Sequence, residues 1–406
     1  MMPSTGIWAA PVTAWYRLTA CSVSLGLVWA STHWYSWQRT IDLIFGSDME
    51  EYERVARAAP GFPAQPLPSQ HADRFVPHYL VGLGSDTFHI GDRTLYYACA
   101  IVLLIVMLFI LDRIVAPMGL GRLEYALCAG ALVANPYLYR FLAICPARLA
   151  DSVFIIGASV ALLGLLRTRG LLLVAGLVVA TLGRSEAVLP LVVLAPIGVA
   201  LSPEWRRRPR RDRRFFGVAA FVLPLATYGL VRIVDSSFSV RDHPGFWGLT
   251  VFGSLRALPH GGGHLGLHVA RTLVGIAGAF SLVVGALIAG RLSRAGRLPF
   301  PFWAALATGV AVSGEALLLN PDWIHGNEPL LSALGTTFFA VAAAAVLRGR
   351  TVKPAAAGAA IVGLVLTSLN HRYASISPVS TPAEFAALAS VGAVVVAVSL
   401  AIDARR

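Results

Sequence analysis

The chain has 406 residues, of which 56% are hydrophobic and 13% are charged, and its formal net charge is +12. Soluble domains contain about 45–50% apolar and about 25% charged residues. This composition excludes a soluble globular protein and predicts an integral membrane protein. Because no polar stretch is long enough to fold separately, we expect a single transmembrane domain over residues 1–406.

Apolar segments recur along the whole chain. A helix needs about 20 such residues to cross the ~30 Å apolar core of a bilayer. A hydropathy window of about 19 residues therefore predicts an all-α polytopic membrane protein with about twelve transmembrane helices, within a range of about ten to thirteen. The predicted spans are 13–31, 95–114, 123–142, 150–166, 171–185, 187–202, 215–233, 268–290, 299–319, 329–347, 354–369 and 386–402.

Basic residues divide unequally between the two sides of this topology. With the N-terminus inside, the inner loops hold 20 basic and 5 acidic residues, and the rest of the chain holds 13 basic and 16 acidic residues. The positive-inside rule then predicts a multi-pass protein of the plasma membrane with both termini cytoplasmic. The basic loop 203–214 is cytoplasmic, and the long loops 32–94 and 235–267 are extracytoplasmic. The arginines of the basic loop thus indicate topology, and no nucleic-acid partner is expected.

The first extracytoplasmic loop opens with an acidic segment. Asp48 is a suitable helix N-cap, and the acids that follow suit the positive end of a helix dipole. Tyr52, Val55 and Ala56 fall on one face, which predicts an amphipathic helix over residues 48–58 along the membrane surface. Asp48 is then either only the cap of this helix or a partly desolvated carboxylate that acts as a general base.

Several motifs in the first half of the chain form a recognisable pattern. The first loop contains Asp-x-x-x-Tyr (Asp48, Tyr52) and then Arg-x-x-Pro (Arg74, Pro77) before the second predicted helix. Three motifs follow, namely Pro146-Ala-Arg-Leu-Ala-Asp151, Leu165-Leu-Arg-Thr-Arg-Gly170 and Leu182-Gly-Arg-Ser-Glu186. Over roughly residues 13–200 this pattern resembles the C-type membrane glycosyltransferases, which take sugars from polyprenyl-phosphate donors.

The resemblance implies an inverting glycosyltransferase at the outer face of the membrane. Its acceptor would be a hydroxyl of a glycan, a lipid or a protein, and its leaving group a lipid phosphate. The loop-one aspartate of the family corresponds to Asp48 as the catalytic base, with Glu50 and Glu51 of the same turn as fallbacks. Tyr52, Trp323 and His325 are the candidates for contact with the sugar or the acceptor.

Outer cations are the candidates for the donor phosphate, because guanidinium groups pair with phosphate through two parallel hydrogen bonds. Each could instead be a snorkelling or ion-paired interfacial residue, and for Arg184 the nearby Glu186 is the expected partner. The candidate phosphate ligands are Arg74, Arg148, Arg184, His371 and Arg372.

Other chemistries have less support. No cofactor is expected, although a divalent metal stays an open alternative, since His260, His264 and His268 are spaced by four residues. Three glycines among them disfavour a helix, so a flexible outer turn is predicted there. No Gly-x-Ser-x-Gly segment supplies a hydrolase nucleophile. The alternative function is a multi-pass transporter or lipid flippase, which would be expected to contain internal repeats and ionisable residues near the membrane midplane.

Overall fold

The computed structural model describes residues 48–145, 148–240, 262–292, 298–318, 328–368 and 382–403, together with residues 13, 15, 16, 19, 22 and 26. Within these residues the protein is all-α apart from two strands of two residues each. The chain divides into two compact units. Unit A comprises Thr32–Ile110 and Leu142–Gly253, and unit B comprises Met1–Ser31, Leu111–Phe141 and Ser254–Arg406.

The helices of the described residues are numbered in chain order. They are α1 Asp48–Ala58, α2 Ser69–Ala72, α3 Phe75–Phe88, α4 Asp92–Val115, α5 Arg122–Val133, α6 Phe141–Ile144, α7 Leu149–Leu166, α8 Gly170–Gly183, α9 Leu189–Leu201, α10 Pro203–Arg206, α11 Arg210–Asp235, α12 Gly262–Leu292, α13 Phe300–Leu318, α14 Glu328–Ala333, α15 Thr336–Leu347, α16 Pro354–Ser368 and α17 Pro382–Asp403. Strands β1 Leu67–Pro68 and β2 Ser239–Val240 form a short parallel pair in unit A.

Six helices of the described residues are long and apolar enough to cross a membrane: α4, α7, α11, α12, α13 and α17. Four shorter apolar helices accompany them: α8, α9, α15 and α16. Large apolar side chains are exposed along these helices, for example Phe215, Val218 and Ile233 of α11. Such faces are costly in water and suit contact with lipid tails. The protein therefore has the construction of an all-α membrane protein; the predicted span 13–31 lies almost wholly outside the described residues.

Two predicted spans are interrupted. The segment 123–142 contains α5, which ends at Val133, and then a π-helical turn, Pro136–Arg140. The side chain of Asn135 accepts a hydrogen bond from the backbone N–H of Tyr137, 2.9 Å away, and so starts the new turn. The segment 329–347 divides likewise into α14 and α15. A hydropathy window averages over such breaks because the residues on both sides remain apolar.

Helix α12 corrects the prediction of a flexible turn beside its glycines. The helix begins at Gly262 and continues to Leu292, so the second and third glycines of the run are helical. A glycine in a helix costs about 1 kcal/mol relative to alanine. The long apolar continuation of α12 offsets this local cost, because most helical stability in proteins comes from packing. The preceding His260 lies outside the described residues.

Helices α7 and α8 of unit A form a closely packed antiparallel hairpin. A Cβ atom added at Gly157 would lie 2.3 Å from the backbone nitrogen of Ala180, and one added at Gly176 would lie 2.3 Å from that of Ala161. These glycines therefore let the two backbones touch, as small residues do between membrane helices. The C-terminal end of α8 is thereby held against the first turn of α7.

The opposite end of this hairpin meets the basic segment. The indole Nε1 of Trp205 donates to the carbonyl of Leu165 at 2.9 Å, and Arg208 Nη2 donates to the carbonyl of Thr168 at 3.4 Å. The α7–α8 turn and residues 203–214 thus share one end of unit A. The start of α7 and the ends of α8 and α11 lie at the other end.

Candidate functional site

Helix α1 spans the range that the sequence predicts. Tyr52, Val55 and Ala56 are buried, which confirms that they share the inner face of the helix. Asp48 is the first residue of α1, and its side chain lies outside the described part of the structure. The role of Asp48 as a base therefore stays a prediction.

The acidic side chains of α1 that follow Asp48 take part in ion pairs. Glu51 Oε2 is 2.5 Å from Arg54 Nη1, one turn along the helix. Glu53 is buried, and it pairs with Arg57 and, at 3.3 Å, with Arg93 Nε. These contacts fasten α1 along its length and to the start of α4, so Glu51 and Glu53 have structural partners.

Tyr52 belongs to a buried aromatic group. Its ring stacks on the imidazole of His78 with the centroids 4.0 Å apart, and His71 approaches its edge at 5.4 Å. His78 Nδ1 is 2.9 Å from the hydroxyl oxygen of Tyr96. Burial lowers the pKa of His78 to about 3, and the charge of Arg74 acts in the same direction. His78 is therefore neutral at neutral pH, and the predicted sugar contact of Tyr52 stays a prediction.

Asp73 and Arg74 lie in the short turn between α2 and α3. Asp73 is buried, and its Oδ1 atom has no hydrogen-bond partner among the described residues. The Nε atom of Arg74 lies 3.8 Å from this oxygen. Burial raises the pKa of the Asp73 carboxyl, while the charges of Arg74, Arg232 and Arg184 oppose that effect. Asp73 is thus a buried carboxyl surrounded by guanidinium groups.

Asp151 in the first turn of α7 joins two of the predicted phosphate ligands. Its Oδ2 is 2.8 Å from Arg148 Nε, and its Oδ1 is 2.7 Å from Arg184 Nη1. All three residues are buried. Arg148 comes just before α7 and Arg184 just after α8, so the glycine-packed hairpin produces this contact. The contact between Arg184 and Asp151 is a direct hydrogen bond, in which Arg184 Nη1 donates to Asp151 Oδ1.

The end of α11 adds a third group of charges. Arg232 Nη1 is 3.0 Å from Asp235 Oδ2, and its Nη2 is 4.0 Å from Glu186 Oε1. Asp235 is buried, and Glu186 and Arg232 are partly exposed. Arg232 also acts electrostatically on Asp73. The α11 end is therefore part of the same charged region as the turn that holds Asp73.

We call a group of eight charged residues in this region the ionic cluster. They are four carboxylates and four arginines within unit A: Asp73, Arg74, Arg148, Asp151, Arg184, Glu186, Arg232 and Asp235. A buried arginine is costly unless it is paired or binds an anion. The arrangement can hold a phosphate group by exchanging part of the arginine-carboxylate contacts for arginine-phosphate contacts.

The structure brings together three of the predicted phosphate ligands, Arg74, Arg148 and Arg184. Sequence reasoning named Glu186 as a neighbour of Arg184 but missed Asp73, Asp151 and Asp235. One signal was present, since Asp151 follows Arg148 by three residues, the spacing at which side chains meet on a helix. The contact between Asp151 and Arg184 spans 33 residues, and no local pattern could have predicted it. Trp323, His325, His371 and Arg372 lie outside the described residues, so their roles stay predictions.

No group of three or more His, Cys, Asp and Glu side chains within the described ranges is placed to hold a metal ion. The chain matches no family model, no curated protein and no solved structure.

Proposed function

We propose that the protein is a membrane glycosyltransferase. It transfers a sugar, with inversion, from a polyprenyl-phosphate donor to an acceptor hydroxyl at the outer face of the cell membrane. The observation that carries this proposal is the ionic cluster, which concentrates four arginines at one end of apolar helices α7, α8 and α11. A lipid phosphate carries its charge at this level of the bilayer, beside its apolar chain.

The two ends of unit A support the orientation. The end marked by Trp205 and Thr168 carries the basic segment 203–214, and the positive-inside rule assigns such a segment to the cytoplasm. The ionic cluster then faces outward. This orientation, the twelve-helix topology and the cytoplasmic termini form part of the proposal.

The chemistry follows from the groups available. The acceptor oxygen bonds to the anomeric carbon as the bond from that carbon to the phosphate oxygen breaks, and the electron pair leaves with the phosphate. The hydroxyl proton passes to Asp48, at the start of α1. Arginines of the cluster stabilise the charge that develops on the leaving phosphate. Their hydrogen bonds to phosphate are charge-assisted, and so are stronger than neutral ones.

The test uses the purified full-length protein with polyprenyl-phosphate sugars and a panel of acceptors. Wild-type protein should release lipid phosphate and form the glycoside with inverted anomeric configuration. Asp48→Asn should slow transfer about 10²- to 10⁴-fold, the usual contribution of a positioned base. Asp86→Asn is the matched control, because Asp86 is exposed on α3 of the same loop, and it should retain wild-type activity.

Two results would contradict the proposal. If Asp48→Asn transfers sugar at the wild-type rate, Asp48 is not the base. If the wild-type protein transfers no sugar from any such donor and instead moves a lipid or solute across vesicle membranes, the protein is a transporter or flippase and not a glycosyltransferase.

A further inference from the structure

The ionic cluster is electrically balanced. Its four arginines and four carboxylates sum to zero formal charge when all are ionised. A bound phosphodiester, such as the head of a lipid-phosphate sugar, adds one negative charge. Net charge in a buried site carries a large desolvation penalty. The complex is therefore more stable if one carboxylate takes up a proton when the anion binds.

The geometry distinguishes the carboxylates. Both oxygens of Asp151 are held by guanidinium groups at 2.7 and 2.8 Å, and Asp235 is 3.0 Å from Arg232. A proton on either would disrupt a direct ion pair. Glu186 is partly exposed, so water can solvate its charge. Asp73 Oδ1 is buried with no hydrogen-bond partner among the described residues, so a proton there breaks no hydrogen bond and weakens only the contact with Arg74 at 3.8 Å.

The surroundings of Asp73 come from several elements. Its own segment contributes Arg74 and His71, the end of α8 contributes Arg184, and α11 contributes Arg232 and Tyr228. Asp151, Glu186 and Asp235 pair with these arginines. Burial raises the pKa of Asp73 despite the neighbouring arginines. The surroundings of Asp73 thus shift its carboxyl towards the protonated form.

We propose that the ionic cluster binds the phosphodiester head of a lipid together with one proton, which Asp73 holds. The identity of the lipid as a donor rests on the proposed function; the coupling of anion and proton rests on the cluster itself. The protonated carboxyl becomes a hydrogen-bond donor towards a phosphate oxygen. Asp73 and Asp48 then have opposite protonation states, Asp73 stabilising the leaving phosphate and Asp48 accepting the proton of the acceptor.

The experiment measures binding of farnesyl methyl phosphate to the full-length protein in a maltoside detergent, which contains no phosphate. This diester lacks the second ionisation near pH 6 of a phosphate monoester, so its charge stays constant over the titration. Above the pKa of Asp73, the dissociation constant of wild-type protein should rise about tenfold per pH unit. Calorimetry in two buffers of different protonation enthalpy should detect uptake of about one proton per bound diester.

Two variants test the assignment to Asp73. Asp73→Asn keeps the shape of the protonated carboxyl, and it should bind the diester with no pH dependence and no proton uptake. Asp86→Asn is the matched control, because Asp86 is exposed on α3, and it should behave as wild type. If Asp73→Asn keeps the wild-type proton uptake, the assignment is wrong. Should this variant fail to fold, the wild-type calorimetry decides alone, since binding without proton uptake overturns the proposal.

A second arm uses dimethyl phosphate, which has the same charge and no lipid chain. It should bind at least about tenfold more weakly, because burial of each CH₂ of a lipid chain contributes about 0.8 kcal/mol. Equal affinity would overturn the assignment to a lipid. Proton-linked binding by a protein that transfers no sugar would contradict the proposed function and support this inference. Sugar transfer by a protein that binds the diester without proton uptake would support the proposed function and contradict this inference.

Discussion

Units A and B bury polar groups of different kinds. In the described residues of unit A, the buried polar side chains include two arginines and three carboxylates of the ionic cluster, namely Arg148, Arg184, Asp73, Asp151 and Asp235. Those of unit B are mainly neutral: Asn135 donates to the carbonyl of Gly275, and Ser332 donates to the carbonyl of Thr272. The buried Glu124 of unit B accepts a hydrogen bond from the backbone N–H of Val352. Neutral hydrogen bonds suffice to join helices; buried ion pairs are weak evidence for stability. The proposed phosphate site therefore lies in unit A.

The largest expected effect tests whether the ion pairs of unit A are mutually dependent. Asp151→Leu should lower the free energy of unfolding by about 3–5 kcal/mol, because it leaves the buried guanidinium groups of Arg148 and Arg184 without their carboxylate. Reversible unfolding in mixed micelles measures this change. Asp86→Leu on the exposed face of α3 is the control and should change stability by less than about 0.5 kcal/mol. A loss at Asp151 no larger than that of the control would mean that the cluster is not a paired unit.

The second prediction concerns the hairpin that brings Arg184 to Asp151. Gly157→Ala should destabilise the protein by about 1–3 kcal/mol, because the new methyl group would meet the α8 backbone. Gly229→Ala on α11 is the matched control, since a Cβ at Gly229 meets nothing within 4 Å. It should stabilise by up to about 1 kcal/mol through helix propensity. Effects of the same sign at both positions would contradict the role assigned to close packing.

Local patterns in the sequence predict much of unit A and little of its site. The spacing of Tyr52, Val55 and Ala56 predicts α1 because burial in a helix repeats every three to four residues. The pairing of Asp151 with Arg184 depends instead on the register of two packed helices. Sequence proximity points to Glu186 as a partner of Arg184, whereas the pairing with Asp151 comes from the hairpin. In unit B, hydropathy averaging hides the break at Asn135, although its Asn-Pro sequence is a turn signal.

The third prediction uses the depressed pKa of His78. Unfolded protein binds a proton at His78 near pH 6.5, whereas the folded protein does so only near pH 3. The contribution of neutral His78 to the free energy of unfolding should therefore be fully present above about pH 6.5. It should decrease by up to about 1.4 kcal/mol per pH unit as the pH falls below that value. Comparing the melting temperature of wild type and His78→Gln from pH 7 to pH 5 isolates this contribution. Parallel curves for the two proteins would contradict it.

The smallest expected effect belongs to unit B. Ser332→Ala removes the hydroxyl that donates to Thr272 and should lower the free energy of unfolding by about 0.5–1.5 kcal/mol. Binding of farnesyl methyl phosphate should stay unchanged, because Ser332 does not belong to the ionic cluster. Loss of diester binding in a folded Ser332→Ala protein would contradict the placement of the diester site in unit A.

The arginines of the ionic cluster are proposed to bind a lipid phosphate. The most direct test of this binding is the affinity for farnesyl methyl phosphate of Arg74→Gln, with Arg93→Gln as the control in unit A, since Arg93 pairs with Glu53 of α1. Loss of one charged hydrogen bond should weaken binding to Arg74→Gln about 10- to 150-fold. Arg93→Gln should bind as wild type does. Equal affinities for wild type and folded Arg74→Gln would contradict the account.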